Sequence, residues 1–154
     1  MNLSQRLTEL RITLPAPGMP AGSYVPARHH GNLLHLSGHI PRREGKVVTG
    51  RVGQDMDLET ARELARGLAL ELVASAALAA GGVDRLAGVV KLVVFVRSAS
   101  GFDQQPAVAN GASDQLVELF GEAGRHARSA IGVSELPLGA AVEVEGIFEL
   151  EGGR

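Results

Sequence analysis

The segment 126–150 carries the side chains best suited to chemistry, one arginine and a pair of closely spaced carboxylates. Arg128 precedes a Leu-Pro break, and Glu143 and Glu145 follow in an apolar-polar alternation typical of a half-buried strand. On such a strand the two carboxylates share one face about 7 Å apart, so they repel unless water or a cation compensates their charge. An antiparallel return of the chain would bring the guanidinium of Arg128 to this face, which predicts an ion pair as the simplest interpretation.

Histidines supply a second group of candidate residues. His35, Ser37 and His39 share one face of a predicted strand, and a His-His pair at 29–30 lies on its neighbour. A metal site is disfavoured, because side chains two residues apart on a strand do not converge and no carboxylate occurs between residues 21 and 43. A polar strand face is the favoured interpretation, and no metal is expected.

Composition argues against several classes of function. The chain has 154 residues, a length typical of one domain, and its net charge of −2 with 3% aromatic residues offers no electrostatic footprint for nucleic acid. The absence of cysteine excludes disulfides, thiolate nucleophiles and cysteine-ligated zinc. There is no apolar run long enough for a membrane span, and the charged start is unlike a signal peptide, so a cytoplasmic protein is expected. Because neither a phosphate-binding loop nor a dinucleotide fingerprint occurs, no cofactor is expected.

Helices and strands are predicted from hydrophobic periodicity and from turn residues. The longest helix begins after Asp57 and stops at Gly81, and a second helix over 102–120 is loosened at Gly111. The run 89–96 is almost continuously apolar, which predicts a strand covered on both faces. The remaining predictions are a short N-terminal helix with Leu3, Leu7 and Leu10, strands over 23–30, 33–40 and 46–49, and two C-terminal strands.

This order of elements predicts an α+β fold, with a single sheet and two main helices on one face. The other face of the apolar strand 89–96 then needs a cover, and in a chain of this length the expected cover is a second copy of itself. The pattern by itself predicts an oligomer without specifying its symmetry.

Two blocks of the chain resemble the signatures of the RidA family, also called YjgF/YER057c/UK114. The blocks contain Gly-Ser-Tyr, Gly-Asn and Ser-Gly-His-Ile-Pro at 22–24, 31–32 and 37–41, then Ala-Arg-Ser, Leu-Pro and Val-Glu-Val-Glu at 127–129, 136–137 and 142–145. The resemblance implies a chorismate-mutase-like fold, assembled as a homotrimer with a central β-barrel and clefts between subunits. Residues 1–20 are then an N-terminal extension with a short helix, and residues 21–154 are the RidA-like domain.

The resemblance also implies roles for particular residues. Arg128 matches the arginine that binds the carboxylate of a small 2-keto or 2-imino acid, and Glu143 matches the glutamate that positions a water for attack on the imine carbon. Tyr24 matches a tyrosine that lines the ligand. Ser37 and Gly38 match the segment whose backbone lies against the ligand, where a missing Cβ permits close approach.

Three positions depart from the family pattern. His39 stands where most relatives have glutamine, Ala130 stands where some have cysteine, and His126 stands where proline or another small residue is usual. His39 and Ala130 are expected to contact the substrate, and thiol chemistry proposed for relatives cannot operate at Ala130. Two imidazoles near the cleft are expected to alter ligand choice or to titrate at about pH 6.5.

The function implied by the resemblance is an enamine/imine deaminase, which hydrolyses reactive 2-imino acids released by pyridoxal-phosphate enzymes to 2-keto acids and ammonia. The alternative is a trimeric binder of small carboxylate metabolites that performs no chemistry. The endoribonuclease activity ascribed to some members fits poorly with a net charge of −2. The expected partners are therefore a small 2-imino or 2-keto acid and further copies of the chain, without nucleic acid or membrane.

Overall fold

A five-stranded mixed sheet and two long helices make up most of the chain, of which the computed structural model describes residues 1–152. The strand order is β1-β2-β7-β5-β6, with β5 and β6 parallel and every other neighbouring pair antiparallel. The elements are α1 Leu3–Glu9, β1 Ala27–His30, β2 Leu33–His39, β3 Arg42–Arg43, β4 Lys46–Val47, α2 Leu58–Ala80, β5 Leu86–Arg97, α3 Gln105–Phe120, β6 Ala127–Val133 and β7 Val142–Leu150. The predicted α+β fold is confirmed, but β3 and β4 form a separate hairpin instead of joining a single sheet.

The core lies between one face of the sheet and the helices. Along β5, Leu92 and Val94 are fully buried, and Val144 and Phe148 of β7 are buried beside them. These residues belong to one apolar cluster with the inward-facing positions of α2 and α3. Both long helices therefore cover the same face of the sheet, as predicted.

The second face of β5 is only half-buried within the chain. Val93 and Phe95 alternate with the fully buried positions and pair with Glu145 and Glu143 on β7. Ile131 on β6 shares this face and is 45% exposed. Within the described residues the expected second cover of β5 is therefore incomplete, and the predicted assembly stays a prediction.

Helix α2 has the limits that its sequence predicts. The Asp57 side chain accepts a hydrogen bond from the Thr60 backbone at 2.7 Å and caps the N-terminus. At the other end Gly81 adopts the left-handed conformation (φ 80°), which glycine accepts without steric cost.

Helix α3 begins three residues later than predicted and is not loosened at Gly111. A Cβ at position 111 would overlap the Arg62 carbonyl oxygen of α2 and lie 2.9 Å from its carbonyl carbon. The glycine therefore allows close approach of two helices, and its cost in helix propensity is offset by their packing.

The predicted antiparallel return from Arg128 to the strand of Glu143 is right in direction, because β7 runs antiparallel to β5 and therefore to β6, but the expected adjacency of the two strands is wrong. Strand β6 runs parallel to β5 at the edge of the sheet, and β5 separates it from β7. The neighbours of β7 in the sheet are β2 and β5. The short connection after β6 therefore has to cross over β5 to reach β7.

Helix α1 packs against the core that the sheet and the two long helices form. Leu3 and Leu7 are buried and belong to the same apolar cluster as the sheet. The Ser4 hydroxyl donates to Asp84 at 2.8 Å, and the Arg6 Nε donates to the Glu118 carbonyl at 2.9 Å.

Candidate active site

A cavity of about 790 Å³ contains most of the predicted site residues. It opens where β2 ends beside β7, and the loop before β1 and the turn before β7 form its rim. Glu71 of α2 forms part of its wall. The predicted residues that line it are Tyr24, Ser37, Gly38, His39 and Glu143.

Glu143 packs directly against the backbone of Gly38. A Cβ at position 38 would overlap Oε1 of Glu143 and lie 3.0 Å from its Cδ. Gly38 has no positive φ, so close approach, and not backbone conformation, requires glycine here. The carboxylate of Glu143 therefore occupies space on the cavity wall that a side chain at position 38 would fill.

Two carboxyl groups of the cavity have raised pKa values. Burial raises the pKa of Glu143, and repulsion from Glu145 raises it further. Burial also raises the pKa of Glu71, although the positive charge of Arg42 partly offsets this. A raised pKa makes a carboxylate a stronger base when it is ionised, which suits Glu143 to accept a proton from water.

His39 is held by hydrogen bonds on both ring nitrogens. Nδ1 lies 2.8 Å from the Ser37 carbonyl oxygen, and Nε2 lies 2.9 Å from the hydroxyl of the buried Ser75. Burial lowers the pKa of His39 in spite of the bond to Ser37. The ring is therefore neutral at pH 7, and it acts as a fixed wall of the cavity and not as a cation for the ligand.

The loop that carries Tyr24 is tied to β2 through Ser37. The Ser37 hydroxyl donates to the Val25 carbonyl at 2.7 Å, and its backbone N–H donates to the Pro26 carbonyl at 3.0 Å. Tyr24 is 52% exposed, and its ring projects at the rim. The hydroxyl of Ser37 thus fixes the backbone next to Tyr24, and Ser37 also lines the cavity.

Arg128 lies outside this cavity, on the opposite face of the sheet from Glu143. It aligns with the buried Leu92, whereas Glu143 aligns with Phe95 on the other face. Its Nη1 donates to the Asn110 side chain at 2.7 Å and to the Ser113 hydroxyl at 3.1 Å, both on α3. The predicted ion pair with Glu143 or Glu145 is therefore wrong within one chain.

Ala130 and His126 lie near Arg128. Ala130 aligns with Val94, so it lies two residues from Arg128 along β6 and on the same face of the strand. His126 contacts the Ser113 hydroxyl through Nε2 at 2.9 Å, and burial is the main cause of its lowered pKa. Neither His126 nor Ala130 lines the cavity of Glu143.

Sequence reasoning missed four polar residues on the helices. Glu71 and Ser75 lie one turn apart on α2, and Asn110 and Ser113 lie one turn apart on α3. Polar residues three or four positions apart share one face of a helix, which is a signal for a common contact. That signal identifies the pairs but not the strands that they contact.

Among residues 1–152, no group of three histidine, aspartate or glutamate side chains could hold a metal ion. Over the same residues, every helix is too short or too polar to cross a membrane.

The fold and these two groups of residues define a small α+β protein with a candidate acid-base site. The family model described as Endoribonuclease L-PSP matches residues 14–149. The chain belongs to this family, which is the RidA/YjgF family that the two sequence blocks resemble.

Two relatives match almost the whole chain. Protein TCP17 of Trypanosoma cruzi is 45% identical over 150 residues, which cover 96% of this chain and 94% of the relative. The 2-iminobutanoate/2-iminopropanoate deaminase of Dermatophagoides farinae is 32% identical over 142 residues, which cover 91% and 95%.

Solved structures show the same fold. The protein Atu1372 of Agrobacterium tumefaciens, of unknown function, has a TM-score of 0.87 at 40% identity and covers 97% of this chain and 92% of its own. TdcF of E. coli, solved with bound serine, has a TM-score of 0.60 at 26% identity and covers 89% and 94%.

Proposed function

We propose that this protein hydrolyses the imine of small 2-imino acids, giving 2-keto acids and ammonia. Glu143 is the proposed base that activates water, and Arg128 is the proposed anchor for the substrate carboxylate. The observation that carries the proposal is that both residues are half-buried and that neither forms an ion pair within residues 1–152. A half-buried arginine without an acidic partner suits an anionic ligand, because the guanidinium can replace lost water by a bidentate carboxylate.

The proposed site requires a second copy of the chain. Because Arg128 and Glu143 lie on opposite faces and are separated by β5, one chain cannot present both to one small ligand. The half-buried face of Val93, Phe95 and Ile131 offers an apolar surface for association. We infer a closed ring, the homotrimer of the family resemblance, in which Arg128 of one copy faces the Glu143 cavity of the next.

The chemistry needs few groups. Arg128 binds the carboxylate through Nε and Nη2, because both hydrogens of Nη1 are used by Asn110 and Ser113. Glu143 accepts a proton from a water as the water oxygen bonds to the imine carbon. The protonated Glu143 then returns this proton to the carbinolamine nitrogen, and the C–N bond breaks to release ammonia while the hydroxyl loses its proton to become the keto group. Orientation of the imine toward that water provides most of the rate advantage.

The comparisons support this proposal by likeness. A relative that is 32% identical over nearly the whole chain carries the name of a 2-iminobutanoate/2-iminopropanoate deaminase. TdcF was solved with serine, which has the size and the carboxylate expected for a ligand of this site.

An endoribonuclease is disfavoured by the charge of the cavity. Glu71, Glu143 and Glu145 line it, and Arg42 is the only lysine or arginine among the described residues of its wall. A polyanion would be repelled by this surface. A small imino acid carries a single carboxylate, which the Arg128 of the next copy binds, and a compensating iminium charge.

Semicarbazide trapping tests the proposed activity. An amino-acid oxidase with catalase generates the imine, and semicarbazone formation is followed with and without this protein. We expect the wild type and the Glu149→Gln control to lower semicarbazone formation and Glu143→Gln to resemble buffer. Glu149 is a suitable control, because it lies on the same strand but is exposed and bonded to Asn32 at 3.1 Å.

A protein that leaves semicarbazone formation unchanged contradicts the deaminase. Calorimetric titration with 2-oxobutanoate then identifies a binder without chemistry. In that case the wild type binds and Arg128→Lys weakens binding by about 1.5–3 kcal/mol, since the charge remains but the bidentate geometry is lost.

Complementation tests the shared site. Arg128→Ala and Glu143→Gln are each expected to be inactive, and an equimolar mixture is unfolded and refolded together. Random assembly should restore about a quarter of the wild-type activity, because an intact Arg128 then faces an intact Glu143 in that fraction of interfaces. Absence of recovery, with mixed assembly shown by mass spectrometry, would contradict a site built from two copies.

A further inference from the structure

The guanidinium of Arg128 is connected to an imidazole through one hydroxyl. Nη1 of Arg128 lies 3.1 Å from Ser113 Oγ, and Ser113 Oγ lies 2.9 Å from Nε2 of His126. The other ring nitrogen, Nδ1, lies 2.6 Å from the carbonyl oxygen of Gly124. Asn110 receives the second hydrogen of Nη1 at 2.7 Å.

The direction of each hydrogen bond follows from the chemistry of the partners. The Gly124 carbonyl can only accept, so Nδ1 of the neutral His126 ring carries the proton and Nε2 has only a lone pair. Ser113 must then donate its hydroxyl proton to Nε2, which leaves its oxygen lone pairs for Arg128. Burial and the nearby Arg128 charge lower the pKa of His126, which keeps the ring neutral at pH 7.

We propose that Ser113 and His126 are positioning residues that hold Arg128 in the orientation required to bind the ligand carboxylate. Ser113 fixes Nη1, and His126 fixes the rotation of the Ser113 hydroxyl so that its oxygen faces the guanidinium. This inference rests on the proposed role of Arg128 as carboxylate anchor.

The arrangement leaves one edge of the guanidinium for the ligand. With both Nη1 hydrogens taken by Asn110 and Ser113, the Nε and Nη2 donors remain on the side directed away from α3. A carboxylate that binds this edge makes two parallel hydrogen bonds, and such binding needs the plane of the guanidinium to be fixed. Each anchor of Nη1 reduces the side-chain freedom that the ligand would otherwise have to remove on binding.

Ser113→Ala tests the relay of contacts from His126 through Ser113 to Arg128, with Ser113→Thr as the conservative variant and Ser4→Ala as control. Ser4 lies on α1, where its hydroxyl donates to Asp84, and it belongs neither to the ligand site nor to the proposed interface, so its loss should leave ligand binding unchanged. Titration with 2-oxobutanoate should give about tenfold weaker affinity for Ser113→Ala, and Ser113→Thr should restore it. Imine hydrolysis should show a raised KM with little change in kcat, because ground state and transition state share the carboxylate.

A double-mutant cycle separates positioning from general structure. In an Arg128→Ala background, Ser113→Ala should have no further effect on affinity, because Ser113 acts only through Arg128. An equal loss in both backgrounds would overturn the relay. His126→Phe keeps a planar aromatic ring, although a larger one, and removes both nitrogens. It should weaken affinity about threefold, and this variant decides the matter if Ser113→Ala does not fold.

The outcomes distinguish this inference from the proposed function. If the wild-type protein hydrolyses imine and the KM is unaltered in Ser113→Ala and His126→Phe, the relay is wrong and the proposed deaminase stands. If the wild-type protein binds 2-oxobutanoate but does not hydrolyse imine, the proposed deaminase is wrong. The double-mutant cycle on 2-oxobutanoate affinity still tests the relay in that case. If the wild type neither hydrolyses imine nor binds the keto acid, both are wrong.

Discussion

Gly38→Ala should abolish most of the imine hydrolysis while leaving the protein folded. The new methyl would overlap Oε1 of Glu143 and lie 3.0 Å from its Cδ, so the carboxylate must move by about 1 Å or more to reach an ordinary contact distance. A displacement of this size between a base and its substrate costs about 100-fold in rate. The backbone can remain in place, because Gly38 has no positive φ.

The expected effect of Gly38→Ala on stability is small. Moving Glu143 to a less favourable rotamer costs about 0.5–1.5 kcal/mol. Replacing glycine by alanine recovers about 0.4–1 kcal/mol by restricting the unfolded chain. The net change is below about 1 kcal/mol, which corresponds to a shift in Tm of less than about 4 °C for a domain of this size.

The assay compares kcat for imine hydrolysis and Tm in Gly38→Ala and in Gly67→Ala. Gly67 is exposed on α2, and a Cβ added there would meet no neighbouring side chain or strand within 4 Å, so alanine should raise Tm and leave kcat unchanged. Full activity in Gly38→Ala would refute the role of the Glu143 position. A fall in Tm above about 10 °C would show that the carboxylate is not the group that yields.

Three further predictions concern stability and assembly. Val94→Asp should prevent folding because it buries an unpaired carboxylate, whereas Val93→Asp should give a folded monomer; circular dichroism and light scattering separate the two, and a trimeric Val93→Asp would contradict the proposed interface. Asp57→Ala should lower the free energy of unfolding by about 1 kcal/mol in urea denaturation, since it removes the N-cap of α2. Because folding lowers the pKa values of His39 and His126, the unfolded chain binds more protons than the folded protein as the pH falls below 6.5. The free energy of unfolding should therefore decrease below pH 6.5 and have its full value above that pH. The double variant His39→Gln, His126→Gln should reduce the slope of unfolding free energy against pH by up to about 1.4 kcal/mol per pH unit for each ring. An unchanged slope would show that these two rings do not cause it.

Local chemistry makes several elements predictable from sequence. The limits of helix α2 are predicted to within one residue at each end, because the Asp57 cap and the Gly81 stop act within one turn of the backbone. Helix α3 is predicted less well, since the benefit of Gly111 lies in its contact with Arg62 on another helix. A contact of that kind has no signature in the local pattern.

The cavity residues are predictable as a group, whereas the partner of Arg128 is not. Tyr24, Ser37, Gly38 and His39 lie close along the chain, so the motif that contains them is also a structural unit, and antiparallel pairing of β2 with β7 adds Glu143. Their placement in one cavity does not itself test their roles, which stay predictions.

Strand order decided what the sequence could not. Alternation placed Glu143 on one face of its strand correctly, because side-chain direction has a period of two residues. Whether Arg128 lies on the same face depends on which strands separate them, and that depends on non-local pairing across β5. The sequence by itself therefore determined the candidate residues and their local elements. Only the tertiary structure showed that Arg128 and Glu143 lie on opposite faces, since register and strand order arise from packing of the whole sheet against α2 and α3.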